Sequence, residues 1–210
     1  MSYLNPPDPA QAEPEITRLY DADRARQGYV ANYTKIFALR PAVYAAWAQL
    51  NITIKTGMDL RSYELATLAA ARRLRSSYCS LAHGTVLRDR FHDVETVHRI
   101  AADHHDAGLD ATDVAVMDFA EKVAGGAAAI TAADVDALRV HGLSDVEIFQ
   151  VALAASARCF FSTVLDAVGV EPDSQYRVLV EPELQEVLTV GRPIAQQSDR
   201  QRDSTLNYST

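Results

Sequence analysis

The stretch "YELATLAAARRLRSSYCSLAHG", Tyr63 to Gly84, spans two helical segments and carries Cys79, the first of only two cysteines in the chain. Leu60, Leu65, Leu68 and Ala69 recur at helical spacing, and Asp59 or Ser62 stands where a cap is needed. A second helix is expected from about Tyr78 to Phe91. At its start the Cys79 sulfur would lie beside unpaired backbone N–H groups and the positive end of the helix dipole, which favour thiolate over thiol. His83, four positions on, falls on the same face one turn later, where a neutral imidazole can take the thiol proton and return it. Glu64, one helix earlier, can fold back to orient that imidazole, completing a nucleophile–base–orienter pattern. The same letters also suit a core helix in which Cys79 is only a small packed residue, because buried cysteine is common.

Working outward, almost every segment after Pro14 reads as helix. "EITRLYDADRARQG" stops at Gly28, and "RPAVYAAWAQLNITIKTG" runs from near Pro41 to Gly57. Further helices are predicted over 94–104 and in "DATDVAVMDFAEKVAGG", which ends at Gly125–Gly126. "TAADVDALRVHG" opens on Thr131 and closes at Gly142. "SDVEIFQVALAASARCFFSTVLDAVG" is the most apolar segment and is expected at the centre of the fold. Val178 to Val180 is the one candidate strand. The prolines at 6, 7, 9 and 14 predict an extended arm over 1–14, ahead of an all-α domain over 15–190 and a polar tail over 191–210.

Composition excludes several classes. The 210 residues are 48% hydrophobic and 23% charged, with a net charge of -8, which argues against nucleic acid as a partner. The most apolar run, Val151 to Ala157, is shorter than a membrane span, and the N-terminus lacks the basic and apolar regions of a secretory signal. Two cysteines 80 positions apart make no disulfide framework, so a cytoplasmic location is expected.

Other features read as structural. "DHHD", Asp103 to Asp106, has metal-ligating residue types, but adjacent helical histidines point about 100° apart, so it is read as a solvated helix end and no metal or cofactor is expected. Tyr29, Tyr33, Phe37, Tyr44 and Trp47 are expected to pack the core, with some of them lining an apolar pocket near Cys79. Arg72, Arg73 and Arg75 are expected to pair with carboxylates of neighbouring elements. An internal echo lays Glu64 over Glu147, Arg75 over Arg158, Ser76 over Cys159 and Cys79 over Ser162, as an ancient duplication would.

Taken with its flanks, the opening stretch resembles the core motif of the alkylhydroperoxidase D (AhpD-like) and carboxymuconolactone decarboxylase family. That motif is a glutamate, a Cys-x-x-Cys, and a histidine four residues after the second cysteine. Glu64, Cys79 and His83 match it, and the resemblance covers most of Gln27 to Val170, its downstream part being similar to the peroxidase-related branch. It implies an all-α bundle of antiparallel helices assembled into a homo-oligomer (dimer, trimer or hexamer). In the peroxidases the second cysteine attacks a peroxide, the first resolves the sulfenic acid, and an external thiol reduces the disulfide, with glutamate and histidine relaying protons. Here the first cysteine is Ser76, which forms no disulfide, and Tyr78 stands where those proteins often keep a histidine. Both are carried forward as supporting residues. Cys79 then acts as a one-cysteine peroxidase recycled by an outside thiol, or is resolved by Cys159, or has lost peroxidase activity. The last case leaves lyase or isomerase chemistry by Glu64 and His83 on a small lactone or carboxylate, or a non-enzymatic scaffold.

Overall fold

In the computed structural model, which describes residues 2–196, the chain forms α1 (Pro14–Gln27), α2 (Asn32–Phe37), α3 (Pro41–Thr56), α4 (Leu60–Arg73), α5 (Ser77–Arg90) and α6 (Val94–Ala102). After a 3-10 turn at His104–Asp106 come α7 (Ala111–Gly126), a second 3-10 turn at Ala127–Ala129, α8 (Ala132–Val140), α9 (Asp145–Ala167), α10 (Tyr176–Leu179) and α11 (Pro182–Leu188). No strand occurs among the described residues. The helix starts follow local chemistry. Asp59 Oδ1 accepts from Ser62 N at 2.9 Å to open α4, and reciprocal capping boxes join Thr131 with Asp134 and Ser144 with Glu147.

Between α4 and α5 the chain reverses through Arg75, whose φ of 57° is the only positive value at a non-glycine among the described residues. That left-handed residue folds α5 back along α4, so the middle of one helix faces the middle of the other. Both then sink into the core. Leu65, Leu68 and Leu81 are fully buried, each contributing about 1.5–3 kcal/mol of burial free energy. This first core is closed by α6, α7, α9 and α11. A second core lies between α2, α3 and α9, where Phe37 and Trp47 stack on Phe161 at 5.4 and 5.1 Å between ring centroids. Cys79 sits at the edge of this second core.

One expectation needs correction. Val178 to Val180 is not a strand. No neighbouring strand pairs with it, and its N–H groups turn back to Gln175 and Tyr176 carbonyls as one helical turn. The apolar run of Val151 to Ala157 is part of a much longer helix. α9 has 23 residues and holds a window of mean hydropathy 1.6, enough by length and composition to cross a membrane. In this fold it is a core helix packed against α4 and α7, with half of its apolar window buried.

The ends of the described chain are tied to the domain. Tyr3 N donates to Val168 O at 2.8 Å, and the Tyr20 hydroxyl donates to Pro7 O at 3.0 Å, so the proline-rich arm lies along the body. The polar tail expected over 191–210 is described only to 196, where Ile194 is buried and Arg177 donates to the carbonyls of Ile194 and Ala195. The remainder of that expected tail lies outside the described residues.

Candidate functional site

Four helices deliver the polar groups that meet at the boundary of the two cores. α4 supplies Tyr63 and Glu64, α5 supplies Cys79 and His83, α3 supplies Asn51 and Lys55, and α9 supplies Arg158. Glu64 is fully buried, yet both of its oxygens are used. Oε2 lies 2.6 Å from His83 Nδ1, and Oε1 accepts from Lys55 Nζ at 2.7 Å. The other imidazole nitrogen, His83 Nε2, lies 3.2 Å from an Arg158 guanidinium nitrogen. Arg158 donates in addition to Asn51 Oδ1 at 2.7 Å, and the same oxygen accepts from the Tyr63 hydroxyl at 2.8 Å. The result is one continuous polar chain, Lys55–Glu64–His83–Arg158–Asn51–Tyr63, inside an otherwise apolar wall.

These contacts define the protonation of the histidine. Burial pushes the His83 pKa down; Glu64 opposes that, while the nearby Arg158 and Lys55 charges reinforce it, and the net shift is downward. Burial works to raise Glu64, but its donors His83 and Lys55 outweigh it and hold the carboxyl below the usual carboxylate range. A neutral imidazole between a carboxylate and a guanidinium has one arrangement that satisfies both neighbours. Nδ1–H donates to Glu64, and the Nε2 lone pair accepts from Arg158. The site can therefore orient a neutral imidazole, store a proton acceptor at Nε2, and present positive charge beside it.

Cys79 is placed differently from the simple expectation. It is the third residue of α5, near the helix start, and buried at 2% exposure. No hydrogen bond joins it to His83 among the described residues, because Glu64 and Arg158 occupy both ring nitrogens. Ser76 is the N-cap of α5 and fully buried, and among the described residues its hydroxyl meets no hydrogen-bond partner. Tyr78 donates a hydrogen bond to the buried Asp173. Burial first, and the neighbouring Asp173 charge second, raise that phenol well above its ordinary pKa. Cys159 is partly exposed on α9, and burial pushes its thiol upward; both cysteines are free thiols.

Of the aromatic run, Tyr33, Phe37, Tyr44 and Trp47 pack the second core around Phe161. Trp47 also borders an apolar groove of about 660 Å³ between α3 and α9, lined with Val43, Leu50, Ile54, Leu153 and Phe160 among others. Arg72 donates to the carbonyl of Val187 at 2.6 Å, and the Glu121 carboxylate of α7 acts on its charge.

"DHHD" also departs from its reading as a solvated helix end. α6 stops at Ala102, and His104 is buried on the following turn. Its Nε2 and that of His105 each lie 2.9 Å from the same Asp118 oxygen, with the two rings only 4.2 Å apart. The shared carboxylate from α7 draws the two imidazoles together where helical geometry alone would part them. These three side chains have donor atoms within 4.8 Å of one another, a spacing that can hold a metal ion.

Sequence reasoning missed Asn51 and Lys55, and noted Arg158 only as part of the internal echo. The available signal was chemical: Arg158 is the lone charge in the apolar run "VALAASARCFF", and a charge on a core helix needs a partner or a task.

Neither a family model nor a curated protein matches the chain. Solved structures do. A peroxidase-related protein from Ralstonia eutropha JMP134, described as an alkylhydroperoxidase AhpD core, superposes with a TM-score of 0.74 at 22% identity over 91% of this chain and 98% of its own. A peroxidase-related protein from Silicibacter sp. TM1040 gives 0.74 at 24% identity over 83% and 93%. The debrominase Bmp8, of which a cysteine-to-alanine variant was solved with 2,3,4-tribromopyrrole, gives 0.67 at 12% identity over 87% and 94%. The chain has the AhpD-like fold.

Proposed function

We propose that this chain is a thiol peroxidase that reduces hydrogen peroxide or an organic hydroperoxide at Cys79. One observation carries the reading. A fully buried carboxylate, Glu64, holds a neutral imidazole, His83, at 2.6 Å, one turn beyond a buried thiol on the same helix. The AhpD-like fold of two peroxidase-related proteins agrees with it. Fold alone does not assign chemistry, as the debrominase of the same fold demonstrates.

In the proposed reaction the Cys79 thiolate attacks the terminal peroxide oxygen. The S–O bond forms as the O–O bond breaks, and two electrons from sulfur reduce the peroxide. The thiol proton passes by way of His83 to the departing oxygen, which leaves as alcohol or water; Glu64 keeps the imidazole oriented. Cys79 is left as a sulfenic acid. Ser76 cannot displace that oxygen, so an external thiol attacks the sulfur and expels water, and a second thiol then breaks the mixed disulfide.

A second reading is favoured by one specific observation, the lack of a hydrogen bond between Cys79 and His83. In it Glu64 and His83 move protons on a lactone or carboxylate and Cys79 is accessory. Substitution at Cys79 separates the two. Under the peroxidase reading Cys79→Ser abolishes peroxide consumption in a coupled dithiol assay, whereas Ser76→Ala lowers it only a few-fold. Unchanged turnover in the Cys79→Ser protein would refute the thiol mechanism.

A further inference from the structure

Arg158 has an unusual electrostatic position. It lies on the central helix at 4% exposure, and no Asp or Glu oxygen comes within 4.0 Å of it among the described residues. Its two hydrogen-bond partners, His83 Nε2 and Asn51 Oδ1, are both uncharged acceptors. Its Nε is buried with no partner. The guanidinium lies near the faces of Trp47 and Phe161, 5.1 and 5.5 Å from the ring centroids, which stabilises a cation only partly.

Charge counting sharpens the point. Glu64 is the one carboxylate of the cluster, and it is already engaged by Lys55 as well as His83. Two fixed cations therefore face one anion. A buried guanidinium with only neutral partners is costly relative to one with a bidentate carboxylate. A carboxylate reaching this guanidinium would form the strong, charge-assisted hydrogen bonds that its neutral partners do not supply.

We propose that the site binds a substrate carrying a carboxylate, and that Arg158 is the residue that receives it. The proposal rests on the peroxidase reading only in naming that substrate, a hydroperoxide with an acid group; the binding itself does not need the chemistry. The route is along the edge formed by Asn51, Lys55 and His83, which are all partly exposed, the Lys55 side chain by 39% and the His83 side chain by 12%. The apolar groove begins on Trp47, the ring next to Arg158, so a short aliphatic body suits the same ligand. Binding has a further consequence. A carboxylate that takes the guanidinium withdraws a donor from His83 Nε2 and frees that lone pair as the base. The acid group of the substrate thereby unlocks the proton acceptor that the reaction uses.

The chain has a single tryptophan, Trp47, so its fluorescence reports on this guanidinium without labelling. Full-length protein is titrated with hexanoate and with the uncharged hexanamide at constant ionic strength, in the wild type, Cys79→Ser, Arg158→Met and Arg158→Lys. Hexanoate should saturate and bind at least tenfold more tightly than hexanamide in the wild type and in Cys79→Ser. Arg158→Met should erase the preference, and Arg158→Lys should keep part of it. Circular dichroism checks the fold of the Met variant, and the Lys variant carries the test if the Met variant does not fold. Equal binding of acid and amide, or a hexanoate preference that survives Arg158→Met, overturns the proposal. So does failure of hexanoate to bind while Arg158→Met slows Cys79 alkylation by iodoacetamide, since Arg158 then serves the thiolate. Absence of peroxide turnover in the wild type with hexanoate binding intact would refute the peroxidase reading alone.

Discussion

Replacing Glu64 by glutamine tests the centre of the polar chain with almost no change of shape. The carboxylate is fully buried, with one oxygen 2.6 Å from His83 and the other 2.7 Å from Lys55. An amide accepts through one atom only, so its NH2 must face either the imidazole N–H or the ammonium, a donor against a donor. The Lys55 side chain is 39% exposed and can turn into water, so its share is that of a surface pair, about 0–1 kcal/mol. The His83 contact is enclosed, and a hydrogen bond to a charged group contributes about 1.5–3 kcal/mol. Glu64→Gln should therefore cost about 2–3 kcal/mol. Glu64→Ala removes the acceptor of both His83 and Lys55, leaves a buried space, and should cost about 3–5 kcal/mol. Urea unfolding at pH 7 followed by far-UV circular dichroism measures both, and the Gln variant should shift the midpoint by roughly 1 M at an unchanged slope. A Glu64→Gln protein within about 0.5 kcal/mol of wild type would refute the reasoning, because an enclosed ion-assisted contact cannot be lost at that cost.

Substitutions at two further positions test neighbouring features. His83 has a folded pKa below its ordinary value, so between the two values the unfolded chain binds more protons than the folded one. Its contribution is fully present above about pH 6.5 and fades as pH falls through the folded value. His83→Gln should accordingly flatten the acid-side loss of stability that the wild type shows below about pH 6.5, as read from melting temperature against pH; a parallel curve would rule this out. Arg75 holds a left-handed φ of 57° at an exposed turn, a conformation that costs a non-glycine residue about 1 kcal/mol. Arg75→Gly should be neutral or stabilise by up to about 1 kcal/mol after the entropy of glycine in the unfolded chain is counted, whereas Arg75→Val should destabilise by more than 1 kcal/mol. A glycine variant less stable than the valine variant would contradict it.

What the sequence disclosed was what neighbouring residues decide among themselves. Gly28, Thr131 and Gly142 mark helix ends in the letters because caps are local, and the AhpD-like all-α class followed from helical patterning together with a resemblance over most of Gln27 to Val170. Val178 to Val180 misled because β-branched residues suit a strand only when a partner strand is present, and none is near. Tyr78 could not be placed from its surroundings in the chain, since its hydroxyl is taken by Asp173, 95 positions away. The "DHHD" turn went astray for the same reason, its two imidazoles being gathered by a carboxylate on the next helix.

Arg158 marks the limit of such reading and also how far it can be pushed. Its contact with His83 spans 75 positions, beyond the reach of spacing arguments, and a motif built from a glutamate, a cysteine and a histidine has no place for it. Yet the apolar helix around it carries a physical warning. Folding brings that helix to the centre, where a guanidinium loses its water and must be repaid by an anion or a strong acceptor. The only carboxylate in the cluster is already committed to His83 and Lys55. A sequence in which an isolated arginine interrupts a core helix therefore predicts a buried positive site even when its partners are unknown. In this protein that site lies against the nitrogen on which the proposed chemistry depends, so the charge that the fold leaves unmatched and the proton acceptor that the reaction needs are governed by one side chain.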